Sequence, residues 1–185
     1  MPGKECDLTS AYSNDIMKSH ALRSAFASLL LTGSCPSLLI AADSPATSNP
    51  LIGTWTLVAA DLLHPDGSRS GDYGDAPKGL LIIDAQGRYS LQIYKTERPK
   101  FASGDKLKGT PAEYEAAILG ASTHFGTISV DPVGHVFTLN VESSNYPNQE
   151  STSQKRNYEL KEGVLSYRVA PRPDGNTPIS VWRKL

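Results

Sequence analysis

The sequence predicts an all-β fold: an eight-stranded antiparallel up-and-down β-barrel with one short helical insertion between its third and fourth strands. Three observations predict it. From Asn49 onward, short runs alternate apolar and polar residues with a period of two, the pattern of half-buried strands. Tight turns rich in Gly, Asp and Pro join most of these runs, which makes neighbours antiparallel. Strands and helices do not alternate along the chain, and no repeat of fixed period occurs, which argues against a parallel sheet and against a solenoid. Short antiparallel strands must hide their edges, and closure into a barrel does so.

The first strand is GTWTLVAADLL (53–63), and alternation turns Trp55, Leu57 and Ala59 inward. HPDGSRSGDYGDAPKG (64–79) reads as loop. GLLIID (79–84) and RYSLQIYK (88–95) form a hairpin about the turn Asp84–Gly87, with Leu81, Ile83, Tyr89, Leu91 and Ile93 inward. Thr110-Pro111-Ala112-Glu113 opens the one helix. The Thr hydroxyl accepts from a free N–H, Pro occupies the first helical position and Glu113 reaches back to the cap. Tyr114, Ala117, Ile118 and Ala121 follow on one face, and Gly120 is expected to end the helix in a left-handed conformation. THFGTISVD (123–131) and HVFTLNVES (135–143) form the next pair, with Phe137, Leu139 and Val141 inward. After a polar loop, SNYPNQES (144–151), come RNYELKE (156–162) and VLSYRVAP (164–171), with Tyr158, Leu160, Leu165, Tyr167 and Val169 inward. TPISVWRKL (177–185) is the last strand.

The chain of 185 residues is 39 % hydrophobic and 20 % charged, with a formal net charge of -1, an ordinary globular composition. A near-neutral chain has no overall field to draw it to nucleic acid, which is excluded as the main partner. The first 48 residues differ from the rest. No charge occurs from Ser24 to Ala42, Lys18 and Arg23 precede that run, and small residues with a proline follow it. This is the basic, apolar and small-residue pattern of a secretory signal peptide. It divides the chain into an N-terminal extension and signal (1–48), cut near Ala42 or Ala46, and a barrel domain (49–185). Met17 begins the pattern, so Met17 and Met1 are both candidate starts. Two alternatives stand beside cleavage. One is a membrane anchor, which Gly33, Pro36 and the serines weaken. The other is lipidation at Cys35 in LTGSC, where Thr32 occupies the usual leucine position. Cleavage leaves a secreted or periplasmic protein with no stable membrane span. It also removes Cys6 and Cys35, and with them any disulfide.

Gly53-Thr54-Trp55 on the first strand resembles the GxW signature of the lipocalin and wider calycin families. The stretch PKGLLIIDAQGRYSLQIYKTERPKFASGDKLKGTPAEYEAAILGASTHFGTISVD (77–131) and the ending ISVWRKL closely resemble bacterial and fungal lipocalin-like domain proteins. The resemblance covers about residues 50–185. It departs from the secreted animal lipocalins in lacking disulfides and in carrying the 96–121 insertion. It implies a barrel and a cavity, and it supplies no catalytic residue. It also implies that Gly53, Trp55 and Arg183 are architectural: Trp55 closes the barrel floor and Arg183 lies across its ring as a cation–π partner.

The inward faces are largely apolar with a few phenols, as in a small-molecule pocket. Tyr89, Leu91, Ile93, Phe137, Leu139, Tyr158 and Tyr167 are the ligand-binding candidates. A filled core is the competing reading, since eight strands stand at the boundary between filled and hollow. His124 is added as a candidate acid or base. Its face depends on strand phase: if Phe125 points in, His124 points out, and a slip of one residue reverses both. No two histidines have ligand spacing, so no metal site is expected, and no cofactor motif occurs. The loop 95–109 carries Lys95, Arg98, Lys100, Lys106 and Lys108 around Phe101, either a cationic lid or a solvated loop. No nucleophile elbow or phosphate-binding glycine loop occurs. The expected function is binding of a small hydrophobic molecule. An isomerase, cyclase or hydratase that uses Tyr89, Tyr167 or His124 in the same cavity is the alternative, and a filled structural module is a third reading. No residue is assigned as catalytic.

Overall fold

The computed structural model describes residues 49–185, and the expected signal segment and both cysteines lie outside them. Nine strands form one antiparallel sheet: β1 (Gly53–Leu63), β2 (Arg69–Gly71), β3 (Lys78–Ile83), β4 (Arg88–Tyr94), β5 (Ala121–Asp131), β6 (Val136–Ser144), β7 (Ser153–Lys161), β8 (Val164–Arg168) and β9 (Thr177–Lys184). β1 pairs with β3 on one side and with β9 on the other, which closes the barrel. Eight strands complete the barrel. The ninth, β2, lies within the segment read as loop and pairs only with the far end of β1, Asp61–Leu63. One helix, α1 (Pro111–Leu119), joins β4 to β5, the third and fourth strands of the closed barrel.

β1 bends where it must leave β3 and follow β2. Its register against β9 shifts between Leu57 and Ala59, a bulge that places one extra residue on β1. The extra residue reverses the alternation, so Ala60 is buried and Ala59 is only half-buried. The expectation that Ala59 faces inward is corrected for that reason.

At α1 the Thr110 hydroxyl accepts from the Glu113 N–H at 3.3 Å, and the Glu113 carboxylate accepts from the Thr110 N–H at 2.7 Å. Gly120 ends the helix at φ -85°, not in the left-handed region. A Cβ there would stand 2.6 Å from the Ala116 carbonyl, so close approach selects glycine. The helix has no buried residue and flanks the barrel. Phe101 packs edge-on against Tyr114 with ring centroids 5.4 Å apart, which fixes the preceding loop to the helix.

The floor of the barrel is closely packed. Leu51, Trp55, Leu165 and Trp182 are fully buried. The Trp55 indole N–H donates to the Leu51 carbonyl at 2.9 Å, which ties the entering segment beneath the barrel. Burying each of the two leucines stabilises the fold by roughly 1.5–3 kcal/mol. The cation over the Trp55 ring is Lys184, whose Nζ lies 5.3 Å from the ring centroid. Arg183 is exposed, and the expected Arg183–Trp55 contact is corrected. Trp55 stands opposite Lys184 in the ladder, and Arg183 is one residue out of phase, on the outer face. Gly53, at φ 139°, admits the Lys184 stem, because a Cβ there would stand 2.8 Å from Lys184 Cε. Among the described residues no helix is long and apolar enough to cross a membrane.

Candidate functional site

The barrel is filled at its floor and hollow at its mouth. Leu51, Leu81, Ile83, Ile128, Phe137 and Leu165 pack the lower half and leave a void of only about 10 Å³. Above them, where β4 and β8 end and β5, β7 and β9 begin, lies a cavity of about 220 Å³. Its apolar wall includes Leu91, Ile93, Leu139 and Val169. Its polar wall includes Ser122, His124, Gln154, Arg156, Tyr167 and Ser180. The volume equals that of about seven waters at ~30 Å³ each. A wider depression of about 860 Å³ lies among Lys155, Asn157, Glu159, Arg168 and Val181. It opens on the outside of β7–β9 and is a surface concavity.

Leu91, Ile93, Leu139, Tyr167 and His124 line the mouth cavity. Tyr89 stands behind His124. Phe137 lies in the packed floor and touches both Tyr158, at 5.9 Å between centroids, and Tyr167, at 5.1 Å. Tyr158 is buried against Phe137 and the edge of His135. Phe137 and Tyr158 are therefore not brought to the cavity. None of Lys95, Arg98, Lys100, Lys106 and Lys108 lines it either. Arg98 instead covers the Tyr94 ring at 5.0 Å.

His124 is 8 % exposed and points inward, whereas Phe125 is 45 % exposed and points out. β5 has a register shift against β6 between Phe125 and Gly126, at the point where the inward set continues through Gly126 and Ile128. The Tyr89 hydroxyl lies 2.9 Å from His124 Nδ1. Burial, aided by the nearby Arg156 charge, lowers the His124 pKa to about 4, so the ring is neutral at pH 7. With the imidazole proton on Nε2, Tyr89 donates to Nδ1. Burial also pushes the Tyr89 phenol well above its ordinary value.

Arg156 faces inward from β7, two residues before Tyr158. Its Nη2 donates to Gln154 Oε1 at 2.6 Å and its Nη1 donates to the Lys155 carbonyl at 2.9 Å. Burial lowers its pKa, and Tyr167 and Tyr89 oppose that shift. Tyr167 is raised by burial, while the Ser180 hydroxyl and the Trp182 indole N–H beside it act in the other direction. Trp182 Nε1 itself is buried without a hydrogen bond of good geometry. At the rim, Arg172 grips Asp72 with two bonds, Nη2 to Oδ2 at 2.6 Å and Nη1 to Oδ1 at 3.2 Å. This pair links the chain after β2 to the chain before β9. Tyr73, beside Asp72 and Ser122, is raised mainly by burial.

Sequence reasoning missed Arg156, Gln154, Tyr73, Ser122 and Ser180. β7 begins at Ser153, three residues before the expected start at Arg156; the inner position of that added stretch is the polar Gln154, so the apolar alternation that marks a strand fails there. Counting back by twos from Tyr158 was the signal that finds both. Among the described residues no group of three or more His, Cys, Asp or Glu side chains is placed to hold a metal ion.

No curated protein matches the chain. A family model described as "Lipocalin-like domain" matches residues 52–185, from the residue before β1 through the whole barrel. That match spans Trp55 at the floor, the closing β1–β9 pair and the mouth cavity alike, and the chain belongs to the lipocalin-like domain family.

Proposed function

We propose that the protein binds a small, largely apolar molecule in the mouth of its barrel. One observation carries this reading: the barrel is packed beneath Leu91 and Leu139 and open above them, with a cavity of about 220 Å³. Such a site combines apolar walls with a few fixed polar groups, the usual composition of a ligand pocket. The cavity is smaller than the ~300–1,000 Å³ that holds drug-sized ligands, so the occupant is a compact molecule. Uptake of a compact, environment-sensitive apolar dye of a size that the cavity admits, with competition by candidate ligands, tests the reading. Saturable uptake that Leu139→Trp abolishes without unfolding the barrel supports it. A folded protein that takes up no probe contradicts it.

Export belongs to the same proposal. Its support is the basic, uncharged and small-residue succession over residues 17–46. Mass analysis of the protein recovered from its host tests it: an N-terminus near residue 43 or 47 supports export, and an intact N-terminus contradicts it.

A second reading, an isomerase, cyclase or hydratase, is favoured by the Tyr89–His124 pair at 2.9 Å. The neutral imidazole, held by the phenol, presents its second nitrogen for proton transfer without a cofactor. In that case Tyr89→Phe lowers kcat and leaves KM nearly unchanged, whereas a binder shows only a modest change in affinity.

A further inference from the structure

Four ion pairs occur among the described residues, and Arg156 is in none of them. Its position makes this unusual. It lies on the inner face of β7 and walls the mouth cavity together with Tyr167, His124 and Gln154. Its only hydrogen bonds run to neutral acceptors on its own strand, Gln154 Oε1 and the Lys155 carbonyl. A guanidinium has five N–H donors in a planar fork, so most of the fork is free to meet a ligand.

None of the other charges at the mouth pairs with it. Asp72 is held by Arg172 through two bonds. Asp61 lines the rim from β1, beyond salt-bridge distance of Arg156. His124 is neutral at pH 7, with its Nδ1 engaged by Tyr89. Arg156 therefore stands without a salt-bridge partner in a partly desolvated pocket, where its attraction for an anion is stronger than in water. Opposite it the wall is apolar: Leu91, Ile93, Leu139 and Val169.

We infer that the ligand is a compact apolar monocarboxylic acid, its carboxylate held by the Arg156 fork and its hydrocarbon part laid against Leu91, Ile93 and Leu139. A carboxylate matches the planar fork with two parallel bonds. It also matches the single free cation at the cavity among the described residues, whereas a phosphate dianion needs a second cation and Arg172 is already occupied. The inference rests on the binding function proposed above and names the class of ligand for that site.

The test is calorimetric titration of the full-length protein with benzoate and hexanoate, and with benzamide and hexanamide as neutral counterparts. Inorganic phosphate and an apolar fluorescent dye are titrated in parallel. The acids are expected to bind about tenfold tighter than their amides. Arg156→Gln is expected to erase that preference while the amides and the dye still bind, and Arg156→Lys to keep only part of it. Unfolding curves of both variants check that the barrel remains intact. If the amides bind as tightly as the acids while the dye is taken up, the cavity is real and the carboxylate inference is wrong. Phosphate binding as tight as benzoate overturns the choice of carboxylate. If neither acids, amides nor dye bind to folded protein, the binding function itself fails, and the inference with it.

Discussion

The Tyr89 hydroxyl and His124 Nδ1 stand 2.9 Å apart on neighbouring strands, His124 on the wall of the mouth cavity and Tyr89 buried behind it. β4 and β5 bring them together: Leu91 lies opposite His124 and Tyr89 lies opposite Gly126. The phenol satisfies one imidazole nitrogen, and burial keeps the ring uncharged.

The pair makes stability depend on pH. An unfolded histidine takes up its proton near pH 6.5, whereas His124 in the fold does so only at about 4. Between those values the unfolded chain binds more protons, so stability falls as pH drops from 6.5 towards 4. The full effect is about 3 kcal/mol. Chemical denaturation of His124→Asn across this window is expected to show a flatter pH dependence than the parent. An unchanged slope contradicts the assignment.

Asp72 and Arg172 clasp the rim of the mouth. The side chain of Arg172 is 41 % exposed, so the pair adds little stability, roughly 0–1 kcal/mol after screening. Its role is to hold two loops together over the opening. Asp72→Asn is expected to leave the melting temperature almost unchanged and to speed release of a bound probe in stopped-flow dilution. Equal release rates in parent and variant argue against a clasp.

Leu51 plugs the floor and also accepts the Trp55 indole N–H through its carbonyl. Leu51→Ala keeps that carbonyl and removes only the plug. It is expected to cost about 2–5 kcal/mol, read from the urea midpoint. Probe uptake at the mouth should survive wherever the protein remains folded. Loss of uptake in folded protein indicates that floor and mouth are one cavity.

Thr110 caps a helix that lies outside the barrel. Thr110→Ala is expected to cost about 1 kcal/mol of local helix stability. Hydrogen exchange should therefore speed up over residues 111–119 and stay unchanged in β1 and β9. Global destabilisation on that scale contradicts a peripheral helix.

Period-two runs and short turns made the eight-stranded barrel legible from the sequence, and Thr110-Pro111-Ala112-Glu113 the capped helix, whereas β2 reads as loop. Inward positions such as Leu81, Ile83, Tyr89, Leu91, Phe137 and Leu165 follow from alternation alone. Two kinds of feature did not. Bulges reset the alternation without a residue pattern of their own, which is why Ala60, and not Ala59, is buried. A functional interior also erases the apolar signal that marks a strand. Gln154 and Arg156 are inward on β7, and the polar Gln154 left Ser153–Lys155 out of the expected strand. The Arg183 and Lys184 exchange has a third cause. Both are cations in adjacent positions, and only the register against Trp55 decides which one covers the ring.

The most direct test of a ligand-holding mouth is native mass spectrometry of the protein purified from its own host without detergent, before and after addition of an apolar probe. A ligand-holding mouth gives a defined extra mass, or stoichiometric probe uptake, that disappears on denaturation and in Leu139→Trp. A bare polypeptide mass that accepts no probe while the protein remains folded would contradict it.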